Sequence, residues 1–158
     1  MKPNLGIADE ARHEIAGILA RVLADEYVLY TKTRSAHWNV SGPDFPAMHT
    51  FFERQYFSID EALDEVAERI RALGHDAPGS LSEVLQHTSL REKAASGRDS
   101  RTFVSALLAD HETIILSLRE QAPRAAQLGD DGTTDLLTGL MKQHEKTAWM
   151  LRASLPCL

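Results

Sequence analysis

Apolar residues recur at helical spacing over long stretches of the chain, and no segment alternates apolar and polar residues as a half-buried β-strand does. Four long stretches are almost free of proline and glycine: 7–38, 47–73, 101–121 and 133–154. Gly74 follows the second stretch, and glycine commonly ends helices. Pro123 and Pro156 follow the third and fourth stretches, and proline interrupts a helix. The pattern predicts four long helices, with the third ending near Pro123.

A long polar connection, residues 74–100, separates the second and third predicted helices. Within it, Ser80 and Glu83 form a capping box, which predicts a short helix over about 81–86. Long helices that each carry one apolar stripe must pack together. The sequence therefore predicts an all-α four-helix bundle in one domain, 1–158, with 1–6 as an N-terminal tail and a short extra helix in the central link.

The second predicted helix carries two separate stripes. An unbroken apolar seam is formed by Phe52, Tyr56, Ile59, Leu63, Val66, Ile70 and Leu73. At about 100° per residue, a second stripe of potential metal ligands lies within about 100° of His49. Its members are His49, Glu53, Asp60, Asp64 and Glu68. On one helix alone, an acidic face in contact with water is the more common explanation of such a stripe. The i,i+4 pairs His49–Glu53 and Asp64–Glu68 favour metal binding, because residues four apart can chelate one cation.

The two pairs are too far apart to bind one ion within a single chain, because Glu53 and Asp64 lie roughly 16 Å apart along the helix. However, the midpoint of Glu53 and Asp64 coincides with the midpoint of His49 and Glu68, between Ser58 and Ile59. If two copies of this helix cross antiparallel at that point, Glu53 meets the Asp64 position and His49 meets the Glu68 position of the other copy. An isologous dimer would therefore complete two identical sites.

His37 lies at the end of the first predicted helix, and the short loop VSGPDFP brings it towards the start of the second. It could join His49 and Glu53, or it could be a packed, hydrogen-bonded histidine beside Trp38. Two imidazoles with three carboxylates suit iron, with zinc or manganese as substitutes. Ferrous ions held there could be oxidised by a peroxide or by dioxygen.

Composition restricts the function classes. The chain has 17 Lys+Arg against 23 Asp+Glu, a formal net charge of −6, which repels nucleic acid and anionic membranes on average. The single cysteine, Cys157, excludes a disulfide framework. We expect it to be a free thiol, with a disulfide between chains as the alternative. We find no membrane-spanning run and no signal peptide, and we expect a cytoplasmic protein.

Residues 32–74, KTRSAHWNVSGPDFPAMHTFFERQYFSIDEALDEVAERIRALG, resemble the characteristic segment of the Dps mini-ferritins, the DNA-protection proteins of starved bacteria. The similarity includes HWNV, the Gly-Pro loop, the twelve-residue spacing from His37 to His49, FERQY and DEVAERIRALG. It implies a ferritin-like bundle that assembles, through two-fold dimers, into a hollow homo-dodecamer.

The resemblance also implies a ferroxidase that oxidises Fe(II), preferably with hydrogen peroxide, at a di-iron or mono-iron centre. Ferric mineral would be stored inside, which protects DNA from Fenton chemistry. His37, His49 and Glu53 match the ligands that one subunit supplies in this family, and Asp64 and Glu68 match those of the other subunit. Some relatives have Asp at the position of Glu53, and Asp60 matches no family ligand.

Other residues have weaker assignments. By resemblance, Trp38 lies close to the iron and absorbs stray oxidising equivalents, or it is a core aromatic. Asp130, Asp131 and Asp135 fall in a region that lines an iron entry pore in the family, although capping of the last helix explains them as well. Four further histidines have no argued partner and are expected to be surface or hydrogen-bonded residues: His75, His87, His111 and His144.

Two observations bear on where the metal site lies and on whether the protein binds DNA. Ferritins that bind iron inside one bundle use ExxH motifs, and the only one here, Glu10 to His13, lies at the start of the first helix. This favours the site between subunits. Nucleoid compaction by DNA binding is the alternative function, but the first twelve residues contain only Lys2 and Arg12 as basic residues. We therefore expect weak or absent DNA binding, with nucleoid association left open.

Overall fold

The computed structural model describes residues 3–155, and these residues form five helices and no strand. The helices are α1 Asp9–Asn39, α2 Phe45–Ala72, α3 Leu81–His87, α4 Ser100–Gln127 and α5 Asp131–Ala153. Helix α1 packs along α2 and helix α4 along α5, and α1 also contacts α3 and α4. The predicted all-α four-helix bundle with a short helix in its central link is confirmed. Cys157 lies outside the described residues.

The core lies along the shared axis of the four long helices. Each helix contributes one apolar face, and the largest fully buried side chains include Phe52, Leu19, Leu107, Leu118 and Leu137. The apolar seam predicted on α2 is buried at Phe52, Ile59, Leu63, Val66 and Ile70. Burial of each such side chain contributes roughly 1.5–3 kcal/mol to the free energy of folding. The buried apolar face is therefore the main contribution that holds α2 in the bundle.

Helix α2 ends as its sequence predicts. Gly74 has a φ of +89°, a left-handed conformation that glycine adopts without the steric cost of a Cβ. Its N–H donates to the carbonyl of Arg71, and the next N–H, from His75, donates to the carbonyl of Ile70. This pair of bonds is the Schellman motif, and it satisfies carbonyl groups that the helix end would otherwise leave free.

The predicted end of the third long helix near Pro123 is wrong. Helix α4 continues past Pro123 to Gln127. Pro123 is exposed, and burial of its neighbours Ala122 and Ala125 holds the last turns against the bundle. Gly129, just beyond the end of the helix, has a φ of +78°. Its N–H donates to the carbonyl of Ala126 and the N–H of Asp130 donates to the carbonyl of Ala125, a Schellman motif that ends α4. The burial of Ala122 and Ala125 therefore stabilises the helix by more than is lost with the main-chain hydrogen bond that Pro123 cannot donate.

The central link is attached to the bundle by a buried carboxylate. Asp25 of α1 accepts hydrogen bonds from the N–H groups of Ser89 and Leu90 and from the hydroxyl of Thr88. The predicted capping box is present at Ser80 and Glu83 and starts α3. These contacts fix the link across α1. None of the helices within residues 3–155 is both long and apolar enough to cross a bilayer.

Candidate metal centre

His37 and His49 meet where the end of α1 faces the start of α2. Their imidazole rings stack with centroids 3.8 Å apart and planes inclined by 21°. Nδ1 of His37 lies 2.9 Å from the carbonyl oxygen of His49, and Nδ1 of His49 lies 2.8 Å from the carbonyl oxygen of His37. This reciprocal pair of hydrogen bonds joins the two helices and fixes both rings.

The two carbonyl groups determine the tautomer of each ring. A carbonyl oxygen can only accept, so each Nδ1 must carry the hydrogen and donate it. In the neutral imidazole the lone pair then resides on Nε2, the nitrogen that a metal ion would bind. Within residues 3–155, neither Nε2 has a hydrogen-bond partner. This arrangement, with Nδ1 held by a carbonyl, is the one that orients metal-binding histidines in proteins.

The carboxylates of the predicted site lie along the outer face of α2. Glu53, one turn after His49, is half-buried, whereas Asp64 and Glu68 are exposed. Within residues 3–155 of one chain, no three His, Cys, Asp or Glu side chains lie close enough together to bind a metal ion. The structure thus brings His37 and His49 together and leaves Asp64 and Glu68 on the open face.

An aromatic cluster surrounds the histidine pair. Tyr56 meets the His37 ring edge-on, with centroids 5.3 Å apart. The guanidinium group of Arg34 lies 5.0 Å from the ring centroids of both Tyr56 and Trp38 and is hydrogen-bonded to the Tyr30 hydroxyl. The alternative that Trp38 is a core aromatic is wrong, because 63% of its surface is exposed. Its role near iron stays a prediction.

Asp60 is exposed on the same face of α2. The hydrogen bond to Tyr30 raises the pKa of Arg34, and the negative charge of Asp60 adds to this effect. Asp60 therefore lies within electrostatic reach of Arg34. Whether it also contacts iron stays untested, as does the alternative that it is a plain surface residue.

The acidic turn before α5 contains residues with different surroundings. Asp130 is buried and caps α5, because its carboxylate accepts hydrogen bonds from the N–H and the hydroxyl of Thr133. It also forms an ion pair of 2.6 Å with Arg69. The capping alternative is confirmed for Asp130. Asp131 and Asp135 are exposed, and their place in an iron entry pore stays a prediction.

Sequence reasoning missed a second histidine pair, inside the bundle. His111 of α4 and His144 of α5 are buried, and their Nδ1 atoms lie 2.8 Å apart. Nε2 of His144 lies 2.6 Å from the carboxylate of Glu26 on α1. The surface alternative for these histidines is wrong, and the hydrogen-bonded alternative is right. The position of His111 in the sequence could have predicted its burial, because it falls between Leu107 and Ile114 on the apolar seam of α4.

Comparisons with known proteins agree with this architecture. The ferritin-like domain family matches residues 16–156. The chain is 41% identical to an uncharacterized low temperature-induced protein of Nostoc sp. over 95% of this chain and 84% of that protein. It is 37% identical to DNA protection during starvation protein 2 of Bacillus anthracis over 90% of this chain and 97% of that protein.

Solved structures show the same fold. The Dps protein of Vibrio cholerae, described as a member of a broad superfamily of ferritin-like diiron-carboxylate proteins, superimposes with a TM-score of 0.92 at 30% identity, covering 99% of this chain and 98% of that chain. DpsC of Streptomyces coelicolor gives a TM-score of 0.93 at 27% identity, covering 100% and 94%. With its helices in this order and a histidine pair between α1 and α2, the chain belongs to the ferritin-like family and, within it, to the Dps mini-ferritins.

Proposed function

We propose that this protein stores iron and protects DNA by oxidising Fe(II) at sites shared between two chains. The general function, iron storage and DNA protection, is supported by its ferritin-like family and Dps relatives. The finer proposal is a ferroxidase centre formed by His37, His49 and Glu53 of one chain with the Asp64 and Glu68 positions of a second copy.

The observation that carries this proposal is the reciprocal hydrogen bonding of His37 and His49. Because each Nδ1 donates to a carbonyl, both Nε2 atoms keep lone pairs for a cation. The carboxylates needed to complete a mixed nitrogen and oxygen set lie on the same exposed face of α2. An antiparallel crossing of two α2 helices near Ser58 would bring them to the histidine pair, as the midpoint symmetry requires.

The proposed reaction transfers electrons from iron to a peroxide. Two ferrous ions each give up one electron, the O–O bond of hydrogen peroxide breaks, and two hydroxide ions form. The carboxylates stabilise the added charge of each ferric ion, and the fixed histidines hold the substrate iron in place. Dioxygen is the alternative oxidant, and zinc or manganese would compete for the same nitrogen and oxygen ligands.

The assembly that we propose is a hollow homo-dodecamer built from such dimers, with ferric mineral inside. Exposed aromatic side chains beside the half-site support a covered dimer face, since Trp38 and Phe57 are 63% and 56% exposed in the single chain. Burial there would exclude water from the iron. Asp131 and Asp135 are proposed to attract Fe(II) at an entry pore, and the protein is proposed to be cytoplasmic.

Co-assembly of two inactive variants tests whether the site is shared. One variant is His37→Gly/His49→Gly and the other is Asp64→Ala/Glu68→Ala, each with a different affinity tag. In a mixed dimer, one site loses four of its five ligands and the other retains all five. Random pairing makes half of the dimers mixed, so co-expression should restore about a quarter of the wild-type rate.

The rate is measured as ferric absorbance after addition of Fe(II) and hydrogen peroxide to the purified assembly. Each variant alone should be inactive while remaining folded by circular dichroism. If the mixed assembly, isolated through both tags, is as inactive as the separate variants, the shared site is wrong. If either variant alone keeps the wild-type rate, its residues are not ligands.

Direct DNA binding is the second candidate function, and charge opposes it. A dodecamer of chains at −6 each would be strongly anionic, whereas DNA binding requires phosphate-neutralising Lys and Arg. We expect no shift of linear duplex DNA in a gel with micromolar protein at physiological salt. A tight complex under these conditions would instead support nucleoid compaction.

A further inference from the structure

A further pair of histidines lies at the end of the bundle where α1 begins and α2 ends. The imidazole rings of His13, in the first turns of α1, and His75, just after α2, have centroids 5.5 Å apart and planes inclined by 55°. His13 is exposed and His75 is half-buried. Within residues 3–155, neither ring forms a hydrogen bond or an ion pair. The ring nitrogens of both residues are therefore not engaged by the protein.

The chain segments that carry the two rings are held close together. His75 takes part in the Schellman motif that ends α2, which fixes its main chain. Pro3 then connects this segment to α1. Its carbonyl accepts a hydrogen bond of 2.5 Å from Arg12, and its ring lies so near Gly74 that an added Cβ there would be 2.9 Å away. Arg12 and Gly74 directly precede His13 and His75, so the separation of the two histidines is set by the fold.

The distance between the rings matches that of two imidazoles bound to one metal ion. A zinc–nitrogen bond is about 2.0–2.1 Å and a ring nitrogen lies about 1.15 Å from the ring centre, so each centroid lies about 3.2 Å from a shared ion. At a tetrahedral angle, the two centroids are then about 5.2 Å apart. The observed 5.5 Å is close to this value. Small rotations of the two side chains, which no hydrogen bond restrains, can turn one nitrogen of each ring towards the same ion.

The neighbouring arginines do not oppose a cation at this position. Arg12, which precedes His13, is paired with Asp9. Arg71, one turn before His75, is paired with Asp76. Each positive charge therefore has an adjacent carboxylate, and the surroundings of the two rings carry no unpaired charge from these arginines.

Glu10 can supply a carboxylate to the same ion. It begins the ExxH motif that ends at His13, and residues three apart are neighbours on one side of a helix. Its side chain is exposed and has no hydrogen bond or ion pair within residues 3–155. Glu10 does not reach the two rings in the observed arrangement. A change of rotamer, which its exposure permits, is needed to bring it to the ion.

We propose that His13 and His75 bind one divalent transition-metal ion at this end of each chain, with Glu10 as a third ligand and water completing the coordination. Two imidazoles and one carboxylate are a common ligand set for Zn²⁺. Ni²⁺ and Cu²⁺ would compete for the same nitrogen ligands. The site is separate from the iron site between chains, and the ion connects the start of α1 to the end of α2.

The test uses the full-length assembled protein with the proposed iron site disabled by His37→Gly/His49→Gly. This background protein is stripped of metal, titrated with Zn²⁺ near neutral pH, and analysed for zinc affinity and zinc per chain. His13→Gln and His75→Gln are made separately in this background. His87→Gln is the matched control, because His87 is an exposed histidine at the end of α3. Circular dichroism checks the folding of each variant.

We expect the background protein and His87→Gln to bind about one zinc per chain that neither His13→Gln nor His75→Gln retains. Each of these two variants should bind zinc at least about tenfold more weakly, since even the loss of an outer-shell partner costs about 10–100-fold in affinity. If each histidine bound zinc alone, either variant would keep the zinc held by the other. Such retention, or no difference between the background protein and either variant, would overturn the proposal.

Two further measurements locate the ion and test the carboxylate. Anomalous diffraction from zinc-soaked crystals of the background protein should show a peak between the rings of His13 and His75, and a zinc peak only elsewhere would overturn the site. Glu10→Gln, which replaces a charged oxygen by a neutral amide, should weaken zinc binding about tenfold. Unchanged affinity in Glu10→Gln would overturn the assignment of Glu10 as the third ligand.

Discussion

Two of the histidine pairs within residues 3–155 have surroundings that differ in one decisive respect. In the pair at the α1–α2 end, His37 and His49, each Nδ1 donates to a main-chain carbonyl and each Nε2 remains available. In the pair at the bundle centre, His111 and His144 use their Nδ1 atoms on each other. In the first pair the ring nitrogens bond to the main chain, whereas in the second they bond to other side chains.

The difference shows that the hydrogen-bond partner of one ring nitrogen determines whether the other nitrogen carries a hydrogen or a lone pair. Carbonyl groups, which only accept, prepare His37 and His49 as two parallel ligands at a surface where a second chain can supply carboxylates. The Glu26 carboxylate instead begins a buried chain of hydrogen bonds that runs through His144 to His111. The first pair is placed where it could bind iron under the proposed function, whereas the second connects three helices inside the core.

Substitution at the buried pair should have the largest effect, and the effect should be on stability. His144→Leu leaves the Glu26 carboxylate buried without its partner, which we expect to cost about 3–5 kcal/mol of unfolding free energy. Glu26→Leu/His144→Leu should recover most of this loss, since an apolar pair replaces a polar one. Guanidinium unfolding of metal-free protein at one fixed concentration measures both. Equal stability of wild type and His144→Leu would contradict the observed hydrogen bonds.

At the surface pair, the effect should instead fall on iron oxidation. His37→Gly/His49→Gly should slow oxidation of Fe(II) by peroxide at least about 100-fold, because the nitrogen ligands are removed. His87→Gly, a substitution of an exposed histidine at the end of α3, is the control and should keep the wild-type rate. Ferric absorbance under initial-rate conditions measures both. An unchanged rate in the double variant would show that the site is misplaced.

The fold was largely predictable because it depends on local signals. Apolar periodicity located the four long helices, and Gly74 and the Ser80 capping box located an end and a start. The end of α4 was not predictable from Pro123 alone. Its continuation depends on burial of Ala122 and Ala125 against other helices, which local sequence does not report.

The proposed metal site and the buried histidine cluster differ in predictability for a related reason. His49, Glu53, Asp64 and Glu68 lie on one helix, so their spacing alone showed a stripe and its symmetry. His111, His144 and Glu26 lie on three helices, 33 to 118 residues apart in the chain. Only the packing of the bundle brings them together, and each alone resembles an isolated polar residue on an apolar seam.

A smaller effect is expected when Glu53 is shortened without loss of charge. Glu53→Asp moves the carboxylate by about one methylene, and such a displacement should lower the oxidation rate about tenfold. Zinc inhibition of the initial rate provides a second measurement, since weaker zinc binding should accompany slower iron oxidation. Glu61→Asp, on the exposed part of the same helix, is the matched control. If Glu53→Asp behaves as that control does, Glu53 does not bind the metal.

Asp60 should give the smallest effect of all, although it lies within the same stripe. Its charge acts on Arg34, which the Tyr30 hydroxyl and the faces of Tyr56 and Trp38 already hold in place. Asp60→Asn should therefore change the oxidation rate by less than about twofold, as expected for one exposed charge outside the ligand set. Initial rates at low and high salt distinguish an electrostatic effect of Asp60 on Arg34, which salt screens, from direct binding of Asp60 to the metal, which salt does not screen. A loss comparable to that of Glu53→Asp, persisting at high salt, would make Asp60 a ligand and extend the site towards the middle of α2.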